Sequence, residues 1–311
     1  MRHLLRRYGT GLTTAFILLT AFWLLMLVIL PNIALFEASF RPYLPVVDIG
    51  GPKDTYSFGN YAKFWSNPVP ASFFGIDVEI PVHIKTFIAT VVYSGVVTLI
   101  CLLMSYPLAF YLAKVVEPRS LPTLMLLLFI PLWVSEALRA FAWYIILTFN
   151  GPLNALLVGI GILDKPVRWQ NGVLTPYDGI MIGLVYTYVL FMIFPLYGAI
   201  QSLDRNQIEA SEDLGARWWQ THWRVVLPHA KPGIASGCVM VFMLSAGSLL
   251  VPTVLPSTSS NWFTETIRQW MLESQDWNTG AAYSFLYILL CSVVVMVTMW
   301  AFRVKLSDIA R

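Results

Sequence analysis

Six long stretches of the sequence contain almost no charged residues, and only Glu136 and Arg139 interrupt them. They cover residues 8–36, 86–113, 120–163, 179–203, 232–264 and 277–302. A helix needs about 20 apolar residues to cross a hydrocarbon core about 30 Å thick, and each stretch exceeds that length. In the third stretch the breaker Asn150-Gly151-Pro152 separates one span from a loop. The pattern therefore predicts six transmembrane helices.

The composition indicates an all-α polytopic membrane protein. Of the 311 residues, 57% are hydrophobic and 12% are charged, against about a quarter charged in a soluble domain. Three arginines precede the first stretch, as in a signal peptide, but the stretch is too long and lacks a small-residue cleavage site. We expect this helix to be retained. Without repeats or a large polar block, residues 1–311 are predicted to form one membrane domain, with a peripheral helix at about 9–36 and core helices at about 84–311.

The basic residues indicate which side of the membrane each loop faces. Six spans place both termini on the same side as the loops at about 114–119 and 204–231. This side carries twelve Lys and Arg residues and the opposite side carries seven. Because Lys and Arg are enriched in cytoplasmic loops, we predict cytoplasmic termini. The segments at about 37–83, 149–177 and 256–276 are then predicted to face outward.

The loop between the fourth and fifth predicted spans, at about 201–232, is longer than a plain connection requires. Asp204 or Asn206 is suited to cap a short helix that runs to about Leu214. Gly215 is suited to the left-handed conformation that ends a helix. The loop is therefore predicted to contain a short polar helix followed by a sharp turn.

A second short helix is predicted from about Trp218 to Pro228, where the proline marks the start of the next span. Three tryptophans, Trp218, Trp219 and Trp223, accompany an otherwise polar face. This combination indicates a surface that contacts a partner protein. The alternative is an amphipathic loop lying on the membrane surface, which tryptophans also favour.

Seven residues of this loop follow a characteristic spacing: Glu209, Ala210, Ser211, Gly215, Val225, Leu227 and Pro228. The series resembles the cytoplasmic motif of permease subunits of binding-protein-dependent ABC importers, Glu-Ala-Ala, three residues, Gly, nine residues, Ile, one residue, Leu-Pro. Ser211 replaces the second Ala and Val225 replaces Ile, and we expect docking to survive both changes. The resemblance implies a coupling helix that lies in a groove of an ATPase subunit, where Glu209 pairs with a basic residue.

The resemblance extends over nearly the whole chain and is closest to the spermidine/putrescine branch. The segments that carry it include residues 139–143, 150–154, 183–188 and 276–282. It implies two ATPase subunits, a second, non-identical permease, an extracytoplasmic solute-binding protein and a location in the bacterial inner membrane. The implied solute is a polyamine, and the alternatives are another amine, an opine or an aminophosphonate.

The sequence contains no recognisable catalytic or cofactor motif. A Gly-x-x-x-x-Gly-Lys-Ser/Thr phosphate loop is missing, so ATP and Mg are expected on the partner subunits. The four histidines lack metal-ligand spacing, and Cys101, Cys238 and Cys291 lie in apolar stretches as packing residues. We expect no catalytic residue, no metal and no nucleic-acid partner. A membrane-embedded enzyme is the alternative class.

Glu136 and Arg139 lie inside a predicted span. A charge in hydrocarbon costs at least about 2.5 to 3.5 kcal/mol, so both must face protein or water. Their i, i+3 spacing permits a structural ion pair between them. The alternative is that one of them lines a translocation pathway. Trp143, Tyr186 and Tyr188 are candidates for cation–π contact with an amine in that pathway, or for packing.

Small and helix-breaking residues interrupt the fifth predicted span at Gly247, Ser248 and Pro252. Irregular backbone at membrane depth is tolerated only beside protein or a water-filled cavity. The interruption therefore indicates a gate, with Ser248 on the pathway. The alternative is close helix packing, which small residues also favour.

Overall fold

The computed structural model describes residues 2–45, 48, 50–66, 68–73, 76–169, 172–255 and 261–302, with the side chains of residues 2–10, 69–78 and 301 omitted. Within these residues the fold is helical apart from one β-hairpin. Five helices are long and apolar enough to cross a membrane, and a bent pair makes a sixth if it counts as one span. The predicted all-α polytopic class is therefore confirmed. The predicted core beyond residue 302 lies outside the described residues.

The chain divides into two compact units. The first comprises the chain up to Pro81 together with Ile267–Ile288. Its elements are α1 (Arg2–Leu24), α2 (Leu30–Ser39), α3 (Gly59–Ala62), β1 (Pro68–Phe73) and β2 (Ile76–Pro81). A π-helical turn, Leu25–Ile29, joins α1 to α2. The two strands pair antiparallel in a hairpin that the apolar pattern did not predict.

A polar cluster around the buried residues Asp276 and Thr279 lies within this first unit. Lys63 Nζ donates to Asp276 Oδ2 at 3.1 Å and to Thr279 Oγ1 at 2.7 Å, and it lies 5.5 Å from the centre of the Trp270 ring. Asp276 Oδ1 accepts from the Thr279 amide at 2.9 Å. Burial alone would raise the pKa of Asp276, but the hydrogen bonds from Thr279 and Lys63 outweigh it and hold this pKa below its ordinary value. The cluster fastens residue 63 to the chain around residues 276–279.

The second unit comprises Val82–Thr266 and the chain from Leu289 onward. Its helices begin with α4 (Val82–Phe110), α5 (Leu121–Trp133), α6 (Glu136–Ile146), α7 (Pro152–Gly159) and α8 (Asp178–Gln201). They continue with α9 (Arg205–Asp213), α10 (Trp218–Thr221), α11 (Leu227–Ala246) and α12 (Leu250–Val254). Two further helices, α13 (Phe263–Arg268) and α14 (Trp277–Phe302), contribute residues to both units.

The core of the second unit lies where α8 packs against α4 and α11. Glycines on α11 allow the backbones to approach closely. A Cβ added to Gly233 would lie 2.4 Å from Ala199 Cβ and 2.5 Å from the Pro195 carbonyl oxygen, and one added to Gly237 would lie 2.6 Å from Met192 Sδ. Small residues at such contacts are typical of helices packed in lipid.

The third predicted span is not one straight helix. Helices α5 and α6 meet at an angle of 83° across Val134 and Ser135. Val134 is extended, and Ser135 Oγ accepts a hydrogen bond from the Leu138 amide at 3.3 Å, which caps α6. A capping serine inside an apolar run thus ends one helix and starts another, so the third predicted span corresponds to a bent pair of helices.

Candidate coupling and translocation sites

The polar loop begins with a capped helix, α9. Asp204 Oδ1 accepts from the Asn206 amide at 3.0 Å, so Asp204, rather than Asn206, is the N-cap. Within α9, Arg205 Nε donates to Glu209 Oε1 at 3.0 Å, and both side chains are exposed. Glu209 and Ala210 therefore lie on a solvent-facing helix.

Helix α9 ends in a Schellman motif. Gly215 has a φ of +76°, its amide donates to the Glu212 carbonyl at 2.8 Å, and the Ala216 amide donates to the Ser211 carbonyl at 3.0 Å. Only glycine adopts this left-handed conformation without steric cost. The predicted role of Gly215 in the turn is confirmed.

A side-chain hydrogen bond closes the hairpin formed by α9 and α10. Ser211 Oγ and Thr221 Oγ1 are 3.0 Å apart. Alanine, the residue that the family motif has at position 211, has no hydroxyl to make this bond. Ser211 therefore contributes a contact that the alanine of the family motif lacks. No local pattern in the sequence indicates its partner, which is ten residues away.

The second helix of the loop does not end at Pro228. From Trp218 it passes through a π-helical turn, His222–Val226, into α11, so that Trp218–Ala246 is one helix of 29 residues. Pro228 lies inside this helix, directly after the π-helical turn, and it provides no backbone amide to the helical hydrogen bonds. The prediction of a helix boundary at Pro228 is therefore wrong.

The loop exposes a large apolar surface. Leu214 is 88% exposed, Trp218 75%, Trp223 69% and Trp219 51%. Behind this surface, Val225 and Leu227 pack against the core of the second unit. The motif residues thus fall into an exposed group near α9 and a packed group that anchors the hairpin.

A cavity of about 500 Å³ opens beside the hairpin. Its lining includes Phe110, Lys114, Glu209, Glu212 and Trp218. Among the described residues, the Glu212 side chain makes no ion pair. The cavity therefore offers an unpaired carboxylate beside two aromatic rings.

Glu136 and Arg139 each contact α8 and, among the described residues, make no ion pair with each other. Glu136 Oε1 accepts from the Tyr188 hydroxyl at 3.0 Å. Arg139 Nη1 donates to the Thr187 carbonyl at 3.2 Å, while its buried Nε has no hydrogen-bond partner. Both side chains project from one face of α6 and bind successive residues of α8, Glu136 at a side-chain hydroxyl and Arg139 at a backbone carbonyl.

The helix that contains Ser248 is interrupted, as predicted. Helix α11 ends at Ala246 and α12 starts at Leu250. Trp262 Nε1 donates to the Ala246 carbonyl at 3.2 Å, and Thr264 Oγ1 donates to the Ser248 carbonyl at 2.6 Å. These side chains satisfy carbonyl groups that the break leaves without helical partners.

Three of the four pathway candidates converge on α8. The Ser248 hydroxyl is buried beside the Tyr188 hydroxyl that binds Glu136, although Ser248 Oγ has no partner at hydrogen-bonding geometry. Arg139 binds α8 at Thr187, the preceding residue. Buried polar atoms without partners are uncommon in folded proteins and call for an explanation.

The fourth candidate, Trp143 on α6, contacts α8 at a different place. Its ring packs edge-on against Tyr186 with 5.4 Å between ring centres, beside an apolar groove of about 640 Å³. The structure therefore does not bring Trp143 to Glu136. Tyr188 was predicted as an aromatic candidate, but its hydrogen bond to Glu136, 52 residues away, has no signature in sequence.

Apolar helices long enough to cross a membrane, joined by an exposed hairpin, are typical of a multi-pass membrane protein. Residues 102–304 match the family described as "Binding-protein-dependent transport system inner membrane component". This chain belongs to that family, and it is the permease component of an ABC importer of the inner membrane.

The relatives of this chain include polyamine permeases. It is 31% identical over 291 residues to "Spermidine/putrescine transport system permease protein PotB" of Salmonella typhimurium (strain SL1344), covering 93% of this chain and 94% of that protein. It is 30% identical to the protein of the same name from Haemophilus influenzae, covering 88% of each. The fold is similar to a chain of a bacterial ABC transporter that imports alginate, with a TM-score of 0.69, 19% identity and 97% of both chains covered.

Proposed function

We propose that this chain forms half of a polyamine translocation pore and that its loop at residues 201–232 couples the pore to ATP hydrolysis on separate subunits. The observation that carries the proposal is the exposed α9 hairpin, which presents Glu209, Ala210 and Gly215 at the spacing of the family motif. The spermidine/putrescine permeases among its relatives support a polyamine as the solute. The chain itself hydrolyses nothing, and ATP and Mg bind to the partners.

The complete transporter contains this chain, a second permease, two ATPase subunits and an extracytoplasmic solute-binding protein. Both termini and the α9 hairpin face the cytoplasm, in keeping with the excess of Lys and Arg on that side of the chain. The binding protein selects the solute, and the pore accepts what it delivers.

The hairpin is suited to receive a basic residue of the ATPase. Exposed ion pairs contribute about 0 to 1 kcal/mol, so the contact between Arg205 and Glu209 is easily exchanged for one with a partner. Glu212 and the rings of Phe110 and Trp218 extend the same surface into the adjacent cavity. Carboxylate and aromatic groups together favour an Arg or Lys side chain.

In the pore, Glu136 contacts an ammonium group of the solute. The Tyr188 hydroxyl holds one carboxylate oxygen and leaves the other free to face the solute. Arg139, one turn further along α6, keeps the local net charge at zero, so the solute is attracted without being trapped. Ser248 supplies a hydroxyl at the same place. Trp143 lines the pathway only if the second permease closes over its groove.

The coupling role is tested by reversing one charge. We expect Glu209→Lys to leave the chain in the membrane and to weaken ATPase association at least about tenfold, because a buried like-charge contact costs well over 1.4 kcal/mol. Glu117→Lys is the matched control, since Glu117 is also exposed and precedes α5 on the same predicted side. Association is measured by titrating the purified ATPase onto the permease pair in liposomes. A Glu209→Lys transporter with the parental rate of solute-dependent hydrolysis would contradict the role.

The solute is tested on the binding protein and then on the pore. In calorimetry against spermidine, putrescine, other amines and an aminophosphonate, the cognate binding protein is expected to bind a polyamine. If it binds no polyamine, the proposed solute is wrong. In liposomes, Glu136→Gln is expected to raise the KM for spermidine about fivefold or more, since it removes the charge but keeps an acceptor for Tyr188. Tyr188→Phe provides the comparison, because it frees the carboxylate and keeps its charge.

A further inference from the structure

The last turns of α4 and the π-helical turn Tyr111–Val115 that continues it contact the chain on both sides of the α9 hairpin. On the entry side, Lys114 Nζ donates to the carbonyl oxygens of Leu203 and, at 3.3 Å, Gln201. These carbonyls end α8 and directly precede Asp204, the N-cap of α9. A cation at a helix C-terminus satisfies free carbonyls and opposes the negative end of the helix dipole.

On the exit side, α4 holds the start of the following helix. The Tyr106 hydroxyl and His222 Nδ1 form a hydrogen bond of 2.6 Å. The buried His222 ring lies 4.5 Å from the Phe110 ring and 4.4 Å from the Trp218 ring. Hydrogen bonding and ring packing thus fix the first turns after the hairpin to α4.

Three residues at intervals of four, two on α4 and one on the π-helical turn that continues it, make these contacts. Tyr106 and Phe110 bind the exit of the hairpin, and Lys114 binds its entry. Ser105 Oγ also donates to the Val189 carbonyl at 3.2 Å, which joins α4 to the middle of α8. The hairpin is therefore braced from one helix at both of its ends.

We propose that Lys114 is a positioning residue that fastens the coupling hairpin to α4, so that a displacement of α9 by the ATPase carries α4 with it as one body. The inference rests on the proposed coupling function of the hairpin. Among the described contacts, Lys114 alone caps the end of α8 from α4, and without it the entry of the hairpin becomes a pivot. Movement of α9 would then bend the chain at residues 201–204 and would leave α4 in place.

The first test of this inference is a distance measurement that requires ATP but no solute. Spin labels are placed on α9 at Gln207→Cys, an exposed residue that does not line the cavity, and on the exposed face of α4 at Leu103→Cys. The three native cysteines are buried. In the assembled transporter we expect the distance between these labels to be unchanged by ATP. With Lys114→Met we expect the distance to shift or broaden on ATP binding, and with Lys114→Arg we expect the parental result.

The functional readout is stimulation of ATP hydrolysis by the spermidine-loaded binding protein. Lys114→Met is expected to keep ATPase association within about twofold and to lose about fivefold of the stimulation, the size expected for one charged helix cap. Lys114→Arg is expected to recover it. A merely structural role would instead lower ATPase association together with stimulation.

Two results would overturn the inference. One is a distance between the labels that changes with ATP in the parent, because hairpin and helix would then not move together. The other is a Lys114→Met transporter that matches the parent in both distance and stimulation. If spermidine fails to stimulate even the parent, the proposed solute is wrong, while the label distances still test the brace.

Discussion

Replacement of Gly215 by alanine isolates the backbone contribution of the coupling hairpin. Gly215 has a φ of +76°, and a Cβ added there meets nothing within 4 Å. The cost of Gly215→Ala is therefore conformational alone, about 1 to 2 kcal/mol for an L-residue in the left-handed region. If the ATPase binds only the closed Schellman turn, this cost lowers its affinity about 5- to 30-fold. Asparagine tolerates this region better, so Gly215→Asn should lose less.

Gly161 provides a matched control in the same unit. It has the same φ of +76° and the same empty surroundings, but it follows α7 rather than the motif helix. Titration of the ATPase onto the permease pair should therefore show weaker binding for Gly215→Ala and parental binding for Gly161→Ala, with similar small losses of thermal stability. Equal loss of affinity in the two variants, or parental affinity in Gly215→Ala, would refute the reasoning.

Three further predictions concern packing and polar contacts. Gly233→Ala should destabilise the chain by about 1 to 3 kcal/mol because its methyl group overlaps α8. Gly198→Ala, with open space on the same helix α8, should keep or slightly raise the thermal midpoint, because alanine favours a helix more than glycine does; equal midpoints in the two variants would contradict this. Asn154→Ala should cost about 3 kcal/mol and speed amide exchange over residues 148–169, since the buried side chain binds Val167 and Trp169 together with two carbonyls before α7. Because hydrogen bonds depress the pKa of Asp276, its contribution to stability should be full above the unfolded value of about 3.9 and be lost as the pH falls through the lower native value. Thermal midpoints measured against pH should show this loss in the parent and not in Asp276→Asn.

The features that sequence predicted correctly depend on nearby residues. The cap at Asp204 and the left-handed Gly215 need only their neighbours along the chain, and both appear in the structure. The long apolar helices follow from composition alone, because a helix in lipid satisfies its own backbone. Five of the six predicted spans therefore correspond to helices long enough to cross a membrane.

The features that sequence missed depend on distant partners. In the sequence, Lys114 is one of several basic residues near the end of a span. In the structure it caps carbonyls 87 and 89 residues away. Arg139 binds the Thr187 carbonyl, 48 residues away. A carbonyl oxygen is present at every position, so no sequence pattern marks the one that is used. The i, i+3 spacing of Glu136 and Arg139 therefore favoured the wrong partner for each.

The two breaks in the apolar helices share one location, and this bears on where the pathway runs. Helix α6 starts at the bend after Val134, and α12, which follows the break at residues 247–249, packs on α6. Glu136 and Ser248, one beside each break, both adjoin the Tyr188 hydroxyl. Free backbone groups facing lipid cost several kcal/mol each, so irregular backbone persists only beside protein or water. Two breaks around one set of polar side chains support the proposed pathway wall, because close packing alone would need neither the carboxylate nor the unpaired hydroxyl.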